Sequence, residues 1–152
     1  MTFNIIIGFL IPWILGVYMY IREKILFIVI YPFGCAVSYT INIIGFYFKF
    51  WSIVPYKYGV FASLPLNLGL YPIAGTYFVF LLYRGVVKAY YLILVFSLVT
   101  TEFEYLMLIF KRGVYGFGWN LFWTFISYSL AYILAYYFYR LVRIEQILSY
   151  NK

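Results

Sequence analysis

The chain contains no aspartate and no histidine, a single cysteine, and only four acids, Glu23, Glu102, Glu104 and Glu145. Each shortage removes some chemistry. Histidine is the usual metal ligand and the usual base near neutral pH, so metal-assisted and triad-type catalysis lose their ordinary parts. One cysteine, Cys35, forms neither an internal disulfide nor a cysteine-based metal cage. No phosphate-binding loop, dinucleotide fingerprint, zincin motif or nucleophile elbow is present in the chain. Glu102 or Glu104 has the chemistry of a general acid or base if burial raises its pKa, but no nucleophile or metal set accompanies either. The expectation is a protein that is not an enzyme and carries no cofactor.

Charge is scarce too. Charged residues make up 10% of the chain and hydrophobic ones 67%, against about a quarter and about a half in soluble domains. A water-soluble fold is excluded, because no solvated surface can be built from so few polar residues. The net charge of +7 comes from eleven Lys and Arg scattered in ones and twos between apolar runs. There is no basic stripe for nucleic acid. Cations so placed set membrane topology and meet anionic headgroups, so membrane lipid is the expected partner.

What the chain does have is long apolar runs. About 20 helical residues cross a hydrocarbon core, and five segments qualify: 3–20, 25–48, 58–83, 89–110 and 119–139. Barrel strands need short alternating segments; these runs are longer and do not alternate. The expected fold is all-α, a polytopic transmembrane helix bundle of five spans forming one domain over 1–152. The first segment lacks a basic leader and an A-x-A-like cleavage site and reads as a retained span. Residues 140–152 place Leu141, Ile144, Ile147 and Leu148 at helical spacing among charges, the pattern of a short cytoplasmic amphipathic tail. With five spans, Arg22, Lys24, Arg84, Lys88, Arg140, Arg143 and Lys152 share one side, and Lys49, Lys57, Lys111 and Arg112 lie opposite. The positive-inside bias then puts the N-terminus outside and the C-terminus in the cytoplasm.

The third segment holds Pro65, Asn67, Gly69, Pro72 and Gly75. Each proline removes a backbone donor and frees a carbonyl. One reading is an interrupted helix whose carbonyls line a site; the plainer one is a kinked packing helix. A re-entrant third segment would leave four spans. Span four carries Glu102 and Glu104, which at about 100° per residue point to nearly opposite faces. Glu104 lies near the level where Lys111, Arg112, Trp119 and Asn120 begin the next turn and span, so these residues form a candidate polar cluster. It reads either as a proton or cation site or as a pairing that holds the span-four and span-five hairpin. Asn42 and Asn67 are central polar groups suited to interhelical hydrogen bonds or to a polar passage. Ser127, Ala131 and Ala135 make a small-residue stripe, with Tyr128, Tyr132 and Tyr136 beside it; packing is the default for both, and self-association is the other use.

The run from Glu104 through Lys111-Arg112-Gly113 to Gly118-Trp119-Asn120 and Trp123 resembles the second half of a family of small five-span membrane proteins of Bacillus and Clostridium relatives. Tyr71-Pro72 and Asn42 also look similar. The resemblance implies the bundle fold and a bacterial cell membrane, and it brings no established activity. Where those relatives carry acids in spans two and three, this chain has Ser38 and Ser63. Two functions follow as expectations. The first is a non-enzymatic accessory subunit or binder of a lipid-like ligand, with a membrane-protein partner or a second copy. The second is a small ion, proton or solute transporter or channel subunit acting as an oligomer.

Overall fold

A computed structural model describes residues 1–144, and its five helical segments are each long and apolar enough to cross a membrane. They are α1 (Thr2–Arg22), α2 (Lys24–Tyr47), α3 (Tyr56–Tyr83), α4 (Ala89–Ile109) and α5 (Leu121–Ile144). Long apolar runs leave backbone groups to pair within their own segment, which a helix does. α5 runs through residues 140–144, and residues 145–152, the rest of the expected tail, lie outside the described residues.

The five helices fit the all-α expectation, with one small addition. The connectors after α2 and α4 meet as a two-stranded antiparallel ribbon of β1 (Trp51–Ile53) and β2 (Gly113–Tyr115), with Trp51 opposite Tyr115 and Ile53 opposite Gly113. Both connectors emerge at the same end of the bundle, where their backbone groups need partners and find each other. The Val54 N–H extends the ladder to the Arg112 carbonyl and the Gly116 N–H to that of Phe50.

α3 is built in three pieces: a 3₁₀ stretch (Tyr56–Ser63), one α-turn (Leu64–Asn67) and a helix (Leu70–Tyr83), with the break at Leu68 and Gly69. It crosses the bundle and does not re-enter. At one end the Asn4 side chain donates to the carbonyls of Val54 and Ala62, beside the ribbon; at the other Arg84 pairs with Glu23 at 2.9 Å. This is the arrangement of five candidate spans rather than four. Pro65 and Pro72 each sit in the first turn of a helical piece, where the missing N–H has no intrahelical partner anyway.

α1 contains a π-helical turn (Ile6–Leu10), and the break in α3 lies against it. A Cβ on Gly69 would run into the Gly8 carbonyl and the Phe9 Cα, so only glycine lets the two backbones approach this closely. Gly34 on α2 plays the same part towards Pro72, whose Cα would lie 3.0 Å from an added Cβ. Met19, Leu26, Ile30, Ile73, Phe78 and Val79 fill the core between α1, α2 and α3, and Leu92 and Tyr132 extend it to α4 and α5. α4 stands at the edge, packed chiefly on α5.

Candidate functional site

α2, α3 and α5 do not close on one another along their whole length. Between them runs a cleft of about 80 Å³, walled by Ile30, Phe33, Val37 and Ile41 from α2, Tyr71 and Gly75 from α3, and Ser127, Ala131 and Ala135 from α5. Ile30 to Asn42 covers about 18 Å of helix. One water-sized group needs roughly 10–15 Å³ on this measure, so the space suits a slender chain rather than a bulky ring. Phe33, Val37, Ile41, Ser127 and Ala131 are half-buried, so the cleft opens sideways instead of being sealed. The small-residue stripe of α5 faces this space. Gly75 contributes to it as well, for an added Cβ there would meet nothing within 4 Å.

The polar groups gather towards the ribbon end. Glu104 reaches the cleft from α4, and the Tyr128 hydroxyl donates to its Oε2 at 2.6 Å. That length is at the short end for an O–H···O hydrogen bond. The Tyr71 hydroxyl approaches the same oxygen at 3.5 Å, at the outer limit of a hydrogen bond. Oε1 accepts nothing among the described residues. Glu104 and Tyr71 also border a second, much smaller space under the ribbon, beside Arg112 and Tyr115.

Above Glu104 the ribbon closes the cleft with aromatic rings. Trp119 lies edge-on to Trp51 at 4.9 Å and stacks on Phe50 at 4.8 Å. Gly45 makes room for Trp51, since a Cβ there would overlap the indole. The Trp51 Nε1–H donates to Asn42 Oδ1, Asn42 Nδ2 donates to Asn67 Oδ1 at 2.6 Å, and Asn67 Nδ2 donates to Ser63 Oγ. This chain of bonds ties the ribbon to α2 and to the broken part of α3. The Trp119 Nε1–H donates to Thr124 Oγ1, whose own hydroxyl donates to Tyr115. Burial chiefly, and then the nearby Glu104 carboxylate, push the Tyr115 phenol above its ordinary pKa. It therefore keeps its proton at neutral pH.

The carbonyls freed by the break in α3 do not line the cleft as unpaired acceptors. Leu68 O accepts from both the Trp13 Nε1–H at 2.9 Å and the Tyr31 hydroxyl at 2.8 Å, and Asn67 O accepts from Ser38 Oγ at 3.3 Å. The interrupted helix is real, and its acceptors are bound within the protein.

The residues expected to cluster with Glu104 are placed differently. Asn120 caps α5, its Oδ1 accepting from the N–H groups of Phe122 and Trp123. Trp119 borders the cleft but bonds Thr124, and the Arg112 guanidinium lies 4.4 Å from the centroid of the Phe3 ring. Lys111 holds a turn with φ of 54°. None of these four bonds Glu104. Glu102 is exposed on the opposite face of α4, as its angular offset requires, and has no hydrogen bond or ion pair among the described residues. Asn42 and Asn67 do meet, as an interhelical hydrogen bond beside the cleft. Sequence reasoning passed over Tyr128 as the partner of Glu104, although its stripe with Tyr132 and Tyr136 was visible; Gly75 stood out only as part of the broken third segment, and nothing local pointed to Trp51.

No group of three or more metal-ligating side chains occurs among the described residues. The fold and site define a helical bundle with five candidate membrane spans and a side-opening apolar cleft that ends at a carboxylate. No family model, no curated protein and no solved structure matches the chain.

Proposed function

We propose that this chain is a multi-pass membrane protein that binds one slender amphiphilic molecule. The apolar tail lies along α2 and α5, and a hydroxyl or amine head donates to Glu104. The observation that carries this reading is that Glu104, whose Oε1 accepts nothing among the described residues, lines the polar end of a mainly apolar, side-opening cleft. A lateral opening suits a ligand already dissolved in the bilayer, and a single acceptor among many apolar contacts fixes its orientation. The binding role is non-enzymatic.

Brominated single-chain amphiphiles test it, because Trp51 and Trp119 border the cleft and bromine quenches indole emission on contact. With purified protein in nanodiscs, a bromoalkyl amine or alcohol quenches saturably, while the bromoalkyl methyl ester, which has no donor, binds weakly. Gly75→Leu fills the cleft and abolishes the saturable part. Glu104→Gln weakens the amine by roughly tenfold, the scale of one hydrogen bond to a charged group. Quenching that rises linearly and equally in all three proteins contradicts the reading.

The proposed setting is the cell membrane of a Bacillus- or Clostridium-like bacterium, supported by the family resemblance. The N-terminus and ribbon face outwards, supported by the gathering of Arg22, Lys24, Arg84, Lys88, Arg140 and Arg143 at the other end. An N-terminal fusion to a reporter active only outside the cytoplasm reads positive on this topology; activity of the opposite reporter reverses it.

A further inference from the structure

Along α4, Tyr91, Val95, Leu98, Glu102, Tyr105 and Ile109 follow one another at alternating spacings of four and three, and all six are exposed. That repeat of 3.5 is the seam of a coiled coil. Most of the row is at home in lipid, but Glu102 is not. It lies about 10 Å along the axis from Ile109, facing away from the bundle, and a carboxyl at such depth against hydrocarbon is costly. Neither it nor the Tyr105 hydroxyl, three residues on along the same row, bonds anything among the described residues.

We propose that this seam is the interface of a parallel homodimer, with α4 paired to α4 of a second copy. Two copies inserted the same way are related by a two-fold axis along the membrane normal, so equal positions face each other. Glu102 then lies beside Glu102 of the second copy at one level of the seam. Each Tyr105 hydroxyl reaches across from the adjacent layer to donate to the opposite Glu102. The chain favours a second copy as occupant because its own seam supplies both the acceptor and the unpaired donor in adjacent layers. A single polar position within an apolar seam also sets register, a known use of such residues. Glu102 and Glu104 point in nearly opposite directions, so the dimer and the ligand cleft stand or fall separately.

Cysteine crosslinking in proteoliposomes tests the seam, with the full chain carrying Cys35→Ser. Leu98→Cys and Ile109→Cys lie on the seam and give crosslinked dimer several-fold faster than Val99→Cys and Leu106→Cys, which are exposed but off it. Single-molecule photobleaching of labelled protein at low density adds a second readout: wild type bleaches mainly in two steps. Glu102→Leu weakens association by roughly tenfold, as expected for the loss of paired interhelical hydrogen bonds. This variant places an apolar side chain on an exposed helix face, so folding is not at risk. Single-step bleaching of wild type at every protein-to-lipid ratio overturns the proposal and directs attention to a different protein carrying a Lys or Arg at that depth. Even crosslinking at all four positions, or a dimer fraction unchanged by Glu102→Leu, overturns it too.

Discussion

Two glycines six residues apart on α3 show how much a single Cβ decides. At Gly69 the α1 backbone occupies the place a Cβ would take, whereas at Gly75 that place is open. Gly69→Ala therefore forces two helices apart, and an overpacked contact against backbone costs about 1–3 kcal/mol or more. Gly75→Ala relieves the entropy cost of glycine within a helix and gains up to about 1 kcal/mol. Unfolding midpoints measured side by side in one detergent should move in opposite directions, down for the first and unchanged or up for the second. A common direction for both would mean that the close approach of α1 and α3 is misplaced.

At the scale of the element, α3 is the informative case. The break at Leu68 is held by two donors from two other helices, the Trp13 indole and the Tyr31 hydroxyl. Replacing either by Phe leaves the carbonyl one partner and costs about 1 kcal/mol beyond lost packing, while losing both leaves it unmet at about 1–3 kcal/mol more. A double-mutant cycle of Trp13→Phe and Tyr31→Phe should thus be more than additive; strict additivity would contradict the shared carbonyl. Five helices were legible from run length alone, because lipid-compatible segments announce themselves locally. The disturbance in α3 was legible as well, from Pro65, Gly69 and Pro72. Its repair was not, since Trp13 and Tyr31 lie 55 and 37 residues away from Leu68. The ribbon escaped notice for a similar reason: three-residue strands such as Trp51–Ile53 are too short to show alternation, and their pairing is set by where the helices end. Helical angle did separate Glu102 from Glu104, but which face met Tyr128 depended on how α5 packs.

For the whole molecule, the cleft follows from unequal packing. α2 and α3 are drawn together by glycine contacts and the Asn42–Asn67 bond, and α5 approaches α2 through Phe33 and Phe138, stacked at 4.0 Å. Between that contact and the Trp51–Trp119 cap the small residues of α5 and Gly75 leave space open. On the proposed function, this space holds one amphiphile in the membrane where the protein is made. Native mass spectrometry of wild type and Gly75→Leu, each released from its expression membrane under the same mild detergent, tests it most directly. One single-chain adduct per wild-type chain is expected, and its loss in Gly75→Leu. Identical adducts on both proteins, or bare wild type throughout, would contradict it.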